Sequence, residues 1–192
     1  MTKEQAFDFI QTFLKSDLES RNKMYVETEN NTHCISLIAD YLTSERRKTG
    51  LILCGDVGNG KTSLLRTIAL VYSFLSYEGY IDNSSESIFK FVNARDIALS
   101  VSNKTEYDEY KKCQKLIIDD LGEEAVEVPI FGINHYPIIE LLEHRYEHNL
   151  LTLISTNLSP KGITDKYHDK RLTDRMREMF DIVVFNDKSF RI

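Results

Sequence analysis

Residues 55–62 constrain this chain more than any other stretch. They read Gly55, Asp56, Val57, Gly58, Asn59, Gly60, Lys61 and Thr62, with Ser63 following. Every fixed position of G-x-x-x-x-G-K-[ST] is met, and average composition makes a chance match in a chain of this length roughly a one-percent event. An apolar run, Leu51 to Cys54, precedes the motif. An amphipathic run follows it, with Leu64, Leu65, Ile68, Ala69, Val71 and Tyr72 as the apolar positions. A strand therefore turns through a glycine-rich loop into a helix. Glycines let such a loop curl and approach a ligand closely. Its successive N–H groups make a concave anion nest, to which the helix N-terminus adds its positive end. Phosphate is the anion this arrangement fits. Lys61 is expected to reach the outer phosphates of a nucleoside triphosphate, and the Thr62 hydroxyl to ligate Mg²⁺.

A phosphate loop calls for a second strand ending in an acid on the metal side. Leu116, Ile117, Ile118, Asp119 and Asp120 supply it. Asp119 is the expected metal-side carboxylate, acting through water, because Mg²⁺ keeps several waters. Asp120 is the candidate to orient or deprotonate an attacking water, with a solvated turn acid or helix cap as the plain alternative. A further apolar strand, Leu151 to Ser155, ends in Thr156 and Asn157. An amide there can sense the γ-phosphate or position water; the alternative is an asparagine turn.

Around these motifs the pattern alternates. Helical spacing covers residues 3–20 and about 32–47, with Gly50 read as the stop after the second helix. Residues 51–54, 88–92, 115–119, 151–155 and 181–185 read as strands. Residues 61–77, 95–101, 133–148 and 163–179 read as helices. Strand–helix alternation predicts an α/β domain with a parallel sheet covered on both faces and ligands at the carboxyl ends of its strands.

Composition narrows the context. With 24 basic and 30 acidic residues the net charge is −6, so overall charge does not point to nucleic acid, although a local basic stripe is compatible with it. Cys34, Cys54 and Cys113 are too few and too scattered for a zinc site or a disulfide framework. The first residues carry acids inside their apolar run, unlike a signal peptide, and no apolar stretch reaches the roughly 20 residues a membrane helix needs. A cytoplasmic location is the expectation, with no membrane partner.

Several segments together resemble the AAA+ ATPases, and within them the bacterial helicase-loader group of the DnaC and DnaI type with its transposition relative IstB. They are Gly50 to Gly55 leading into the loop; Ile118-Asp119-Asp120-Leu121-Gly122; His144-Arg145-Tyr146; Ser155-Thr156-Asn157-Leu158; Arg171-Leu172-Thr173-Asp174-Arg175-Met176; and the tail Phe185 to Arg191. The resemblance spans residues 30–192. It implies a P-loop NTPase three-layer sandwich with a five-stranded parallel sheet in the order 5-1-4-3-2. It implies a homo-oligomer with ATP at subunit interfaces, Asn157 as first sensor and Arg175 as an arginine finger reaching a neighbour's γ-phosphate. Arg171, one turn earlier, is the second candidate, and a surface salt bridge to Asp174 or Glu178 is the plain alternative.

The chain is read as a core at 30–192 with an N-terminal helical appendage at 1–29. The C-terminal helical lid domain of many AAA+ proteins has no counterpart up to Ile192, as in the loader group. In loaders a segment after the second strand contacts single-stranded DNA. Here it falls on residues 93–114, where Lys104, Tyr107, Tyr110, Lys111 and Lys112 suit backbone pairing plus base stacking. Glu106, Asp108 and Glu109 dilute that charge, and a solvated helix face is the alternative. The expected function is an ATP- and Mg²⁺-dependent ATPase in DNA replication that loads a replicative helicase. An IstB-like transposition helper acting with a transposase is the alternative, and a small-molecule P-loop kinase is a third.

Overall fold

The computed structural model describes residues 1–78 and 88–186. Two helices come first, α1 (Lys3–Ser20) and α2 (Glu29–Thr43). Each starts at a threonine, Thr2 or Thr28, whose hydroxyl accepts the N–H three residues on while Gln5 or Asn31 reaches back to the cap. The chain then enters β1 (Gly50–Gly55), α3 (Lys61–Tyr77), β2 (Lys90–Asn93), α4 (Ala94–Ser100), α5 (Lys104–Lys112) and β3 (Lys115–Leu121). A hairpin of β4 (Val128–Ile130) and β5 (Ile133–His135) follows. After it come α6 (Pro137–Glu147), β6 (Leu151–Thr156), α7 (Pro160–Tyr167), α8 (Lys170–Met179) and β7 (Phe180–Phe185).

The main sheet is five-stranded, all its pairs are parallel, and it runs β2-β3-β6-β1-β7. Numbered among themselves, these strands stand in the expected order 5-1-4-3-2. Alternation along β1 shows why two helix layers are needed. Leu51 and Leu53 face a core shared with α1, α2 and α3, whereas Ile52 and Cys54 face a second core beneath α4–α8. Helix α1 contributes Ala6, Ile10 and Leu14 to the first core, and Phe9 and Phe13 each bring a ring centroid within 5.5 Å of Phe74 on α3.

Several expectations need correction. The second helix begins at Glu29 and ends at Thr43, and Gly50 is not its stop but the first residue of β1. A Cβ on Gly50 would lie 2.4 Å from the Phe180 ring and 2.7 Å from the Thr152 carbonyl, so the glycine permits close strand packing. The helix expected at 133–148 starts only at Pro137. Proline suits the first helical position and biases the residue before it away from helix. The freed residues pair as β5, joined to β4 through Phe131 (φ 49°) and Gly132 (φ 80°), the double positive φ of a tight hairpin. The helix expected at 163–179 is two, separated by left-handed His168 (φ 49°) and restarted at Asp169, whose carboxylate caps the Leu172 N–H at 2.7 Å. The tail residues Asp187 to Arg191 lie outside the described residues.

Candidate nucleotide site

The phosphate loop joins β1 to α3 at the carboxyl edge of the sheet. Gly58 and Gly60 both take φ 90°, and Gly60 is the N-cap of α3, a left-handed position that other residues adopt at a cost. A Cβ on Gly55 (φ 148°) would lie 2.4 Å from the Phe185 carbonyl, so the loop begins pressed against β7.

Lys61 is only 5% exposed. Its ammonium donates to the Gly55 carbonyl (2.7 Å), the Asp56 carbonyl (2.8 Å) and Asn59 Oδ1 (3.0 Å), so the loop satisfies all its donors. Burial lowers the Lys61 pKa, and Asp120, Cys54, Asp56 and Asp119 push it back up. Burial also pushes the Cys54 thiol up to about 11, against the pull of Lys61, so Cys54 is an inert core group at neutral pH. Asn59 is the loop's internal brace: it accepts from Lys61, and its amide donates to the Phe185 carbonyl at 3.5 Å. Asp56 and Val57 are exposed at the crest of the loop.

The end of β3 lies beside the start of α3. Thr62 Oγ1 donates to Asp119 Oδ1 at 2.9 Å, and the Ser155 hydroxyl donates to the same oxygen. Asp119 is 7% exposed. Between Ile118 and Leu121 the β3–β6 register shifts, a bulge that gives Asp120 a left-handed backbone (φ 55°). Bulges next to active sites re-aim side chains, and aspartate is among the few residues that tolerate this region. The Asp120 N–H donates to Ser155 Oγ at 2.9 Å, so one serine on β6 fixes both acids. Thr156 donates to the Leu121 carbonyl at 2.6 Å. Asn157 is half-buried, and its amide caps nothing among the described residues; α7 is capped by Ser159 instead.

These oxygens fit magnesium. A hydroxyl and a carboxylate, both hard donors, converge at the end of two adjacent elements, and Mg²⁺ commonly takes one or two protein oxygens and completes its shell with water and phosphate. Among the described residues no group of three or more His, Cys, Asp or Glu could hold a metal without such help.

The arginines lie elsewhere. Arg175 on α8 pairs with Glu143 (2.5 Å) and Glu147 (3.4 Å) of α6 and lies over the Tyr146 ring, 5.4 Å from its centroid. Asp174 pairs with Arg177, and Glu178 accepts from the Tyr146 hydroxyl, so Arg175 is held in a salt bridge, as the plain alternative had it, but by acids of α6. Arg171 is exposed and makes no ion pair among the described residues. Arg145 is fully buried and donates to the Thr152 hydroxyl and to the Tyr110, Cys113 and Leu151 carbonyls, a structural clamp whose pKa burial pulls down to about 10.

The base-stacking expectation for residues 93–114 is overturned. Tyr107 and Tyr110 are buried, with their hydroxyls donating to the Pro137 carbonyl (2.6 Å) and to Glu106 (3.0 Å). Their faces are covered by Lys111 and Lys90. Lys112 pairs with Asp108 at 2.9 Å. Sequence reasoning missed the roles of Ser155 and Glu124. Glu124, buried, accepts the Gly122 N–H at 2.8 Å and so fixes the turn after β3. A hydroxyl in a strand and a second acid after a turn carry no motif; only the partners across the sheet give them meaning.

No protein-family model and no curated protein matches the chain. Solved structures do. A DnaI structure is 20% identical, with TM-score 0.64, covering 92% of this chain and 94% of that one. The DnaC helicase loader is 15% identical, with TM-score 0.61, covering 84% and 93%. The chain shares its fold with these proteins. The replication initiator DnaA bound to AMPPCP and single-stranded DNA shares it at 18% identity and TM-score 0.58, but this chain spans about half of DnaA (85% of this chain, 49% of that one). No helix among the described residues is long and apolar enough to cross a membrane.

Proposed function

We propose that this AAA+ domain binds and hydrolyses ATP and acts in DNA replication as a loader of the replicative helicase. The convergence of Lys61, Thr62 and Asp119 at one edge of the sheet carries the nucleotide reading. The likeness to DnaI and to the DnaC helicase loader, each over most of both chains, supports the cellular role. Residues 56–63 line the phosphates: the backbone N–H groups cradle them, and Lys61 exchanges its loop carbonyls for the outer oxygens. Thr62 and Asp119 would hold Mg²⁺, which supplies charge neutralisation on the phosphates when bound. Asp120 accepts a proton from, or orients, the attacking water, and the Asn157 amide, without a hydrogen bond among the described residues, holds that water or the γ-phosphate. A guanidinium from a second copy completes the site. Arg175 is the finger to test first, and it must leave Glu143 and Glu147 to act; Arg171 is the comparison.

Titration calorimetry with ATP and Mg²⁺ tests the reading. Wild-type protein should bind, and Lys61→Ala should lose on the order of 2–3 kcal/mol, enough to weaken affinity by roughly a hundredfold. No binding by the wild type would overturn the nucleotide site. Phosphate release with and without single-stranded DNA then separates an ATPase from a kinase. Capture of purified replicative helicase, against a transposase control, separates a loader from a transposition helper.

A further inference from the structure

Helix α1 lies along α3 and delivers its C-terminal end to the phosphate loop. Phe9 and Phe13 meet Phe74 near the far end of α3, while Arg21, the C-cap of α1, meets Ser63 in the first turn of α3. Arg21 Nη2 donates to Ser63 Oγ at 3.2 Å. The guanidinium is not a loose surface charge. Its Nε donates to the Asp17 carbonyl at 3.2 Å, and Nη2 also pairs with the Asp17 carboxylate. Both side chains are largely shielded, 27% exposed for Arg21 and 16% for Asp17. A preorganised cation therefore stands against the residue that follows Thr62.

In a loop of this kind Lys61 serves the outer phosphates, the Thr62 hydroxyl serves the metal, and the backbone N–H groups cradle the inner phosphates. Ser63, the residue after Thr62, stands in the first turn of α3, whose N–H groups belong to that cradle. We propose that Arg21 is a phosphate-binding residue of the nucleotide site, contributed by α1 and directed at the inner phosphate common to nucleoside mono-, di- and triphosphates. The inference rests on the nucleotide reading above. It makes α1 part of the binding site, so that seating of this helix and occupancy by nucleotide favour each other. The Asp17 backbone carbonyl, which Nε reaches, holds the guanidinium in place whatever the side chain, whereas the Asp17 carboxylate competes with phosphate for its charge.

Calorimetry with ATP, ADP and AMP in the presence of Mg²⁺ tests this. Arg21→Ala should weaken all three by a similar factor, on the order of tenfold, the size of one charge-assisted hydrogen bond. Arg21→Lys should retain part of the affinity. Asp17→Asn should bind all three as tightly as the wild type or more tightly, because it leaves the cation without its competitor. A merely structural Arg21–Asp17 clamp predicts the same loss from Asp17→Asn as from Arg21→Ala, and that result would overturn the proposal. Should Arg21→Ala melt early without nucleotide, Arg21→Lys and Asp17→Asn still give the opposed signs. Wild-type affinity in the Arg21 variants overturns this proposal alone. Absence of binding by the wild-type protein overturns the nucleotide reading and this one with it.

Discussion

Asp120 occupies a left-handed backbone position within a bulge, a conformation that costs an ordinary residue about 1–2 kcal/mol. Asparagine tolerates that region at least as well, so Asp120→Asn separates chemistry from fold. It should melt within about 2 °C of the wild type and bind ATP nearly normally, while hydrolysis falls roughly a hundredfold or more. Unchanged turnover would leave Asp120 a turn residue. The pair Asp119–Asp120 was legible because an apolar strand ending in acids after a phosphate loop has few other readings. The bulge that turns Asp120 out of line with Asp119 was not. It depends on Ser155, whose hydroxyl donates to one acid and accepts from the backbone N–H of the other, and nothing in the order of residues 151–157 announces that geometry.

The β4–β5 hairpin shows what local pattern conceals. Ile133 begins a spacing that suits a helix, yet Pro137 sets the helix start and leaves three-residue strands too short to register as alternation. Its tip places a fully exposed Phe131 at φ 49°, where glycine or asparagine would be relaxed. Phe131→Asn should therefore stabilise the protein by about 1 kcal/mol, a rise of roughly 2–4 °C in thermal unfolding. An unchanged or lower melting point would show that Phe131 makes a compensating contact. Helices α6 and α8 carry the converse case. Arg175 ties them together through Glu143 and Glu147, a tie no spacing rule forecasts because its partners lie on another helix.

At the scale of the whole molecule the proposed chemistry needs two copies. Turnover per subunit should rise with protein concentration until assembly saturates. Arg175→Ala should bind ATP yet hydrolyse it poorly, and mixing it with Lys61→Ala should restore part of the activity, since one copy then offers an intact loop and the other an intact finger. Should Arg171→Ala be the inactive variant instead, the finger moves one turn along α8. The sheet order came only from the resemblance to the helicase-loader group, whereas the two-faced core was legible from strand–helix alternation. The tight seating of α1 was not, because an amphipathic stripe does not say which surface it meets. The sheet order also bears on how the chain is made. β1, with the phosphate loop at its end, is synthesised early, yet it pairs only with β6 and β7, through Gly50 to Thr152 on one side and Gly50 to Phe180 on the other. Such distant partners make closure slow and leave an apolar strand unpaired meanwhile. On the ribosome, β1 and the loop at its end have no sheet to join until β6 has been made.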